Sequence, residues 1–254
     1  MIFTCQSGST VDFSSIDAIR KSRVTLDDIA RGLSRINRFA GQTKAPVTVA
    51  QHSLIVANLM FNRYKSSTAS LIGLLHDAHE AFTSDVPLPT KALLAQLDTA
   101  PSALGLKPLK MIESALDAMI DASLGTTFLR VFVYDLKAAD EKARRIEWAF
   151  AQAGVCCEYI SSALSPAEAE AAFKGYFMAD FALVSAQQTG YASPISIDAN
   201  DWLWIKSEIT ERTGLPVKRG FAQILSSYDG MKSVEKDQRA RIEAAVKALQ
   251  GTAQ

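Results

Sequence analysis

Two stretches of this chain, VAQHSLIVANLMF at 49–61 and ASLIGLLHDAHEAF at 69–82, are apolar on more than one face of a helix, and they constrain the fold more than anything else in the sequence. A helix that is apolar around most of its circumference has to be surrounded by protein, so both are expected at the centre of a helical bundle. Whatever polar residues they carry go inside with them. All three histidines of the 254-residue chain, His52, His76 and His79, fall in these two stretches, together with Asp77 and Glu80.

The rest of the chain reads as a frame for that centre. Alternating residues around the Gly8 turn predict a short hairpin over 2–13. Ile29, Leu33 and Ile36 recur at helical spacing after Thr25, predicting a helix over about 26–37 that begins at Asp27 and Asp28. Further helices are expected over about 108–124, ended by Gly125, and about 134–153, closed by Gly154. Ser165, Pro166 and Glu168 carry a capping pattern that starts another, running to about 186. Later helices are expected near 200–213 and 233–250. The fold class is therefore mainly α, a helical bundle with an N-terminal hairpin, divided into a core over 1–154 and a helical extension over 155–254 packed on it.

Composition narrows the partners. Lysine plus arginine equals aspartate plus glutamate at 27 each, and no basic stripe is interleaved with aromatics, so nucleic acid is not an expected partner. No apolar run is long enough to span a bilayer, and three cysteines without a pairing pattern suit a reducing cytoplasm. A homo-oligomer is expected, and the last hundred residues are read as scaffold or oligomer contacts.

His52 shares a face with Val49, Ile55 and Val56, so its imidazole points inward and needs a partner. Asp77 lies in apolar surroundings, where an unpaired carboxylate costs several kcal/mol. One cation would satisfy both. Asp140 is the best further ligand, because it interrupts the inward stripe Leu136, Ala139, Ala143 and Ile146; Asp135 is the reserve. Two imidazoles with two carboxylates suit a borderline divalent ion, zinc, cobalt, manganese or iron, better than calcium. Glu147, two turns after Asp140, is placed to orient a ligand histidine or to pair with a buried arginine. Gly73 is read as leaving room beside His76. His79 is read as a pocket-lining, surface or supporting residue rather than a ligand.

The order His52, then His76-Asp77, then Asp140 resembles the H…HD…D signature of HD-domain metal-dependent phosphohydrolases. The stretches RFAGQTKAPVTVAQHS, HDAHEAFTSDVPLPTK and LKAADEKARRIE are closest to the branch of bacterial 5′-deoxynucleotidases and phage deoxynucleotide hydrolases, over about residues 3–150. The resemblance implies an all-helical HD domain in which His52, His76, Asp77 and Asp140 hold a divalent cation. It assigns Glu80 to the water proton, Asp85 to a second catalytic acid, Arg38 to the phosphate and Phe39 to the place of a tryptophan that lines the sugar. Lys91 is a further substrate-binding expectation, and Arg35 competes with Arg38. The phenylalanine, a connection from Arg38 to His52 one residue shorter, and the long C-terminal extension depart from the small nucleotidases.

Three functions remain open on the sequence. Hydrolysis of a deoxynucleoside 5′-monophosphate comes first, and triphosphohydrolysis of a deoxynucleoside triphosphate is its close rival. A non-catalytic regulatory module stapled by a structural metal is the reading from another class.

Overall fold

The computed structural model describes residues 1–97, 108–131 and 134–189. Within them the protein is mainly helical, with one two-stranded hairpin at the N-terminus. The helices expected near 200–213 and 233–250 lie outside the described residues.

Strands β1 (Ile2–Thr4) and β2 (Thr10–Asp12) pair antiparallel, with Phe3 opposite Val11, across a turn in which Gly8 takes a φ of +93°. A short helix α1 (Ile16–Lys21) follows, capped by Ser15 and not among the elements expected from the sequence. Helix α2 (Leu26–Arg35) starts at a reciprocal capping box: Thr25 Oγ1 accepts from the Asp28 backbone, and Asp28 accepts from the Thr25 N–H. It stops two residues short of the predicted end, because Ile36 and Asn37 leave the helix to bond the chain entering the next element. Val49 N–H donates to Ile36 O, and Arg38 N–H donates to Val47 O.

Helix α3 (Val49–Tyr64) is the axis of the molecule. Leu54, Ala57 and Phe61 enter one apolar cluster with Ile29, Leu33, Leu71, Leu74, Leu116 and Phe173. Ile55, Val56 and Met60 enter a second with Val47, Ala139, Ala143, Phe150 and Ile160. That double burial explains why its sequence has no polar face.

The predicted helix over 69–82 is broken in two, α4 (Ser67–Leu75) and α5 (Glu80–Thr83). Between them the chain tightens. Ala78 N–H bonds Leu75 O and Glu80 N–H bonds Asp77 O, each three residues back. Helices α6 (Leu88–Leu97) and α7 (Pro108–Leu124) follow, and Gly125 ends α7 at a φ of +71°. Helix α8 (Leu136–Ala153) is capped by Asp135 and closed by left-handed Gly154. Helix α9 (Pro166–Thr189) opens with Ser165 and Glu168 bonding each other's backbone N–H, and lays Phe173 and Tyr176 into the first cluster against α2, α3 and α4. Among the described residues no helix is long and apolar enough to cross a membrane. Cys5, Cys156 and Cys157 are free thiols.

Candidate metal and phosphate site

Thr48 caps α3, which sets His52 one turn inside the helix and fully buried. The break after α4 is what presents the next pair. Gly32 of α2 lets α5 press close, since a Cβ there would stand 2.9 Å from the Ala81 Cβ. The chain therefore turns at His76–His79 instead of continuing along the α4 axis. Gly73 does not leave space for a ligand, as its sequence suggested. A Cβ there would stand 3.0 Å from Ala57 Cα, so its absence brings the α4 backbone against α3 and His76 against His52.

Four donor atoms meet as a result. His52 Nε2 stands 3.2 Å from His76 Nε2, 3.4 Å from Asp77 Oδ2 and 3.3 Å from Asp140 Oδ1, and His76 Nε2 stands 3.1 Å from Asp77 Oδ2. Donors about 2.0–2.2 Å from a common cation lie about 3.4 Å apart when tetrahedral and about 3.0 Å apart when octahedral. These spacings fall in that interval; His52, His76 and Asp140 could together hold a metal ion, and Asp77 Oδ2 stands beside the two imidazoles.

The placement of protons supports this. His76 Nδ1 lies 2.8 Å from the Gly73 carbonyl, which can only accept, so Nδ1 carries a hydrogen. His52 Nδ1 lies 2.6 Å from Glu147 Oε1. Burial works against ionising Glu147, but His52 and Arg38 outweigh it and hold its pKa below the usual range, so this carboxylate accepts as well. Neutral imidazoles with both Nδ1 atoms engaged would aim two lone pairs at one point, beside two carboxylates. Such an arrangement requires a cation, either a proton or a metal. Burial would depress the pKa of His52, yet Glu147 raises it well above the ordinary value. Asp77 and Asp140 are held below theirs; burial opposes this, with the histidines as the main counterweight.

Glu147 fills both roles that the sequence left as alternatives. Its second oxygen accepts from Arg38 Nε at 3.2 Å, and neither the carboxylate nor the arginine has appreciable exposure. The chain beyond Arg38 is fixed in an uncommon conformation. Phe39 and Ala40 both lie in the left-handed region, at φ of +57° and +53°, which costs non-glycine residues about 1–3 kcal/mol each. Ala45 N–H donates to Ala151 O and Gln152 Nε2 donates to Gln42 O, tying this loop to α8.

In front of the donors lies a cleft of about 270 Å³, walled by Arg38, Phe39, Asp77, Glu80, Asp85, Lys91, Asp140 and Arg144 together with Val86, Pro87, Leu88 and Pro89. Glu80 is 2 % exposed and its Oε2 has no hydrogen-bond partner among the described residues. Burial, then Asp77 and Asp85, push its pKa up to about 7. Lys91 Nζ sits 3.5 Å from Glu80 Oε1 and 3.6 Å from Glu113 Oε1. Asp85 Oδ1 is 3.9 Å from Arg38 Nη1.

Every residue nominated from sequence for metal, catalysis or substrate is thus within this one neighbourhood. Two reserve choices are elsewhere. Arg35 pairs with Glu170 at 2.9 Å, and Asp135 caps α8 while pairing with Arg63 at 3.1 Å. His79 is buried, with Nδ1 2.9 Å from Asp117 Oδ1. Asp77, His79 and Glu80 also bring ligand atoms within 4.8 Å of one another, but the Lys91 ammonium already supplies positive charge there. Sequence reasoning missed Arg144, four residues after Asp140 and 3.7 Å from its Oδ2, although that spacing on one helix face was readable. It also missed Glu113 and Asp117, which α7 brings from a distant stretch.

No family model matches the chain. It is 33% identical over 109 residues to a curated protein of Escherichia coli (strain K12) described as "Uncharacterized protein YfdR". The match covers 43% of this chain and 52% of that protein, so the chain spans about half the length of that relative.

Proposed function

We propose that this protein is a metal-dependent phosphohydrolase of the HD type, cleaving a nucleotide phosphoester, with a deoxynucleoside 5′-monophosphate as the first substrate to test. The observation that carries the reading is the gathering of His76 Nε2, Asp77 Oδ2 and Asp140 Oδ1 within 3.2–3.4 Å of His52 Nε2, beside a cleft with buried Arg38 and Glu80. Imidazole and carboxylate donors together favour zinc, cobalt, manganese or iron(II) over calcium. When bound, such an ion neutralises charge on a phosphoryl oxygen and makes water more acidic.

The side chains divide the remaining work. A phosphomonoester brings up to two negative charges, and Arg38, with Nε held by Glu147, is oriented to donate to its oxygens. Lys91 and Arg144, which also line the cleft, add further positive charge. Attack by water requires a group to take its proton, and the unpartnered Glu80 Oε2, held near neutral pKa, is suited to accept it. The P–O ester bond breaks as the water oxygen bonds phosphorus, and the departing 5′-oxygen takes up the proton that Glu80 received, giving orthophosphate and the nucleoside. Asp85 stands beside Arg38, its Oδ1 3.9 Å from Nη1, as a second acid at the cleft.

The test is product analysis over deoxy- and ribonucleoside mono- and triphosphates with manganese, cobalt or zinc, comparing wild type with Glu80→Gln. Metal-dependent orthophosphate release, lowered by roughly 10²–10⁴ in the variant, is the expected result. Release of triphosphate instead would reassign the substrate to the deoxynucleoside triphosphates. Stoichiometric metal without turnover of any nucleotide would sink the enzymatic reading and leave a structural metal module.

A further inference from the structure

We propose that Phe39 and Trp148 form a stacking platform for the base of the nucleotide, which makes the enzyme selective for base-bearing esters yet tolerant of which base they carry. This rests on the phosphohydrolase reading above and adds to it Trp148, which that reading does not use. Trp148 is 51 % exposed, although it sits on a helix whose other large apolar residues are covered. Its ring meets Phe39 edge to face, with centroids 5.2 Å apart and planes at 72°.

The position of the pair suits a ligand that extends out of the cleft. Asp140, Arg144 and Trp148 follow one another at intervals of four on α8 and so share a face. Trp148 stands two turns beyond Asp140, about 12 Å along the axis. A nucleotide whose phosphate lies at Arg38 and the donor cluster would carry its base toward that end. Phe39 is fixed in place to meet it. Its backbone is held left-handed, the Arg38 guanidinium lies 5.7 Å from the ring centroid, and its ring lines the cleft itself.

Tolerance follows from the chemistry of stacking. Stacking on an indole is available to every base, since each has a π-face.

The experiment compares wild type, Trp148→Ala and Trp148→Phe on the four common deoxynucleoside 5′-monophosphates and on base-less 2-deoxyribose 5-phosphate. Trp148→Ala is expected to raise KM for all four nucleotides by roughly tenfold to a hundredfold with kcat within a factor of two, and Trp148→Phe to restore most of the loss. The preference for each nucleotide over the base-less ester should fall by the same factor. Deoxyadenosine 5′-monophosphate should also quench a component of tryptophan fluorescence that Trp148→Phe lacks, and this titration needs no turnover. An equal loss on the base-less ester, or an unchanged KM, would overturn the platform while leaving the hydrolase standing. If no phosphoester is hydrolysed, the hydrolase reading fails, and absence of the quench would then remove the platform too.

Discussion

Glu80 is the residue at which stability and chemistry pull in opposite directions. Its pKa rises from about 4.5 unfolded to about 7 folded, because burial and the neighbouring Asp77 and Asp85 disfavour its charge. In the metal-free protein the folded state therefore holds this proton more tightly than the unfolded chain does. Between pH 4.5 and 7 the folded state keeps a proton that the unfolded chain releases, so stability falls as pH rises through that window and levels off above it. Glu80→Gln removes the loss. Metal-free Glu80→Gln should exceed wild type in stability above pH 7 by up to about 3 kcal/mol and match it near pH 4. Urea denaturation at the two pH values would check this, and an equal difference at both would contradict it. Glu147 is the opposite case, a buried carboxylate that two partners need. Glu147→Ala leaves the Arg38 charge uncompensated and the His52 ring unoriented, so a loss of about 3–5 kcal/mol is expected. The milder Glu147→Gln should fold and bind metal about 10–100 times more weakly, measured by cobalt titration.

At the scale of elements, the site depends on two helices approaching at a residue with no side chain. A Cβ on Gly73 would meet the Ala57 Cα at 3.0 Å and its N at 3.1 Å, and backbone cannot swing away as a flexible side chain would. Gly73→Val should therefore push α4 off α3, cost about 1–3 kcal/mol in urea, and weaken metal binding because His52 and His76 separate. Unaltered metal affinity with lowered stability would show that the two helices are not the clamp. This contact also marks where sequence reading stopped. Burial of α3 on both sides was legible, since a helix between two apolar clusters must itself be apolar all round. So were His52, Asp77 and Asp140, as ionisable groups set among residues that bury. The break between α4 and α5 was not, because the apolar spacing runs on unbroken and its cause is a Gly32–Ala81 approach more than forty residues away in the chain. The spacing of Arg144 from Asp140 was readable but its setting was not: in EKARRIE it resembles any solvated charge, and the cleft around it is completed by Arg38, Phe39 and residues 85–91.

For the molecule as a whole, the donor cluster lies where its two apolar halves meet. His52 belongs to α3, which both clusters share; His76 and Asp77 follow α4, which packs mainly into the first; Asp140 belongs to α8, which packs into the second. An ion bound to all four couples the halves in the folded state alone, so it should raise stability with its free concentration as any ligand of the native state does. At a thousand times Kd the gain is about 4 kcal/mol. At roughly 2–4 °C per kcal/mol for a chain of this size, that corresponds to a rise in Tm of roughly 8–16 °C. Scanning calorimetry with cobalt or zinc, then after chelation, should show the rise and its reversal. His76→Ala should abolish it. His79→Ala should lose some baseline stability with its Asp117 bond but keep the metal-dependent rise, because the four-donor set does not include it. The rise should shrink toward acid pH, where protons compete for the imidazoles. If instead the metal effect survives His76→Ala and disappears in His79→Ala, the ion belongs with Asp77, His79 and Glu80, and Glu80 would be a ligand rather than a base.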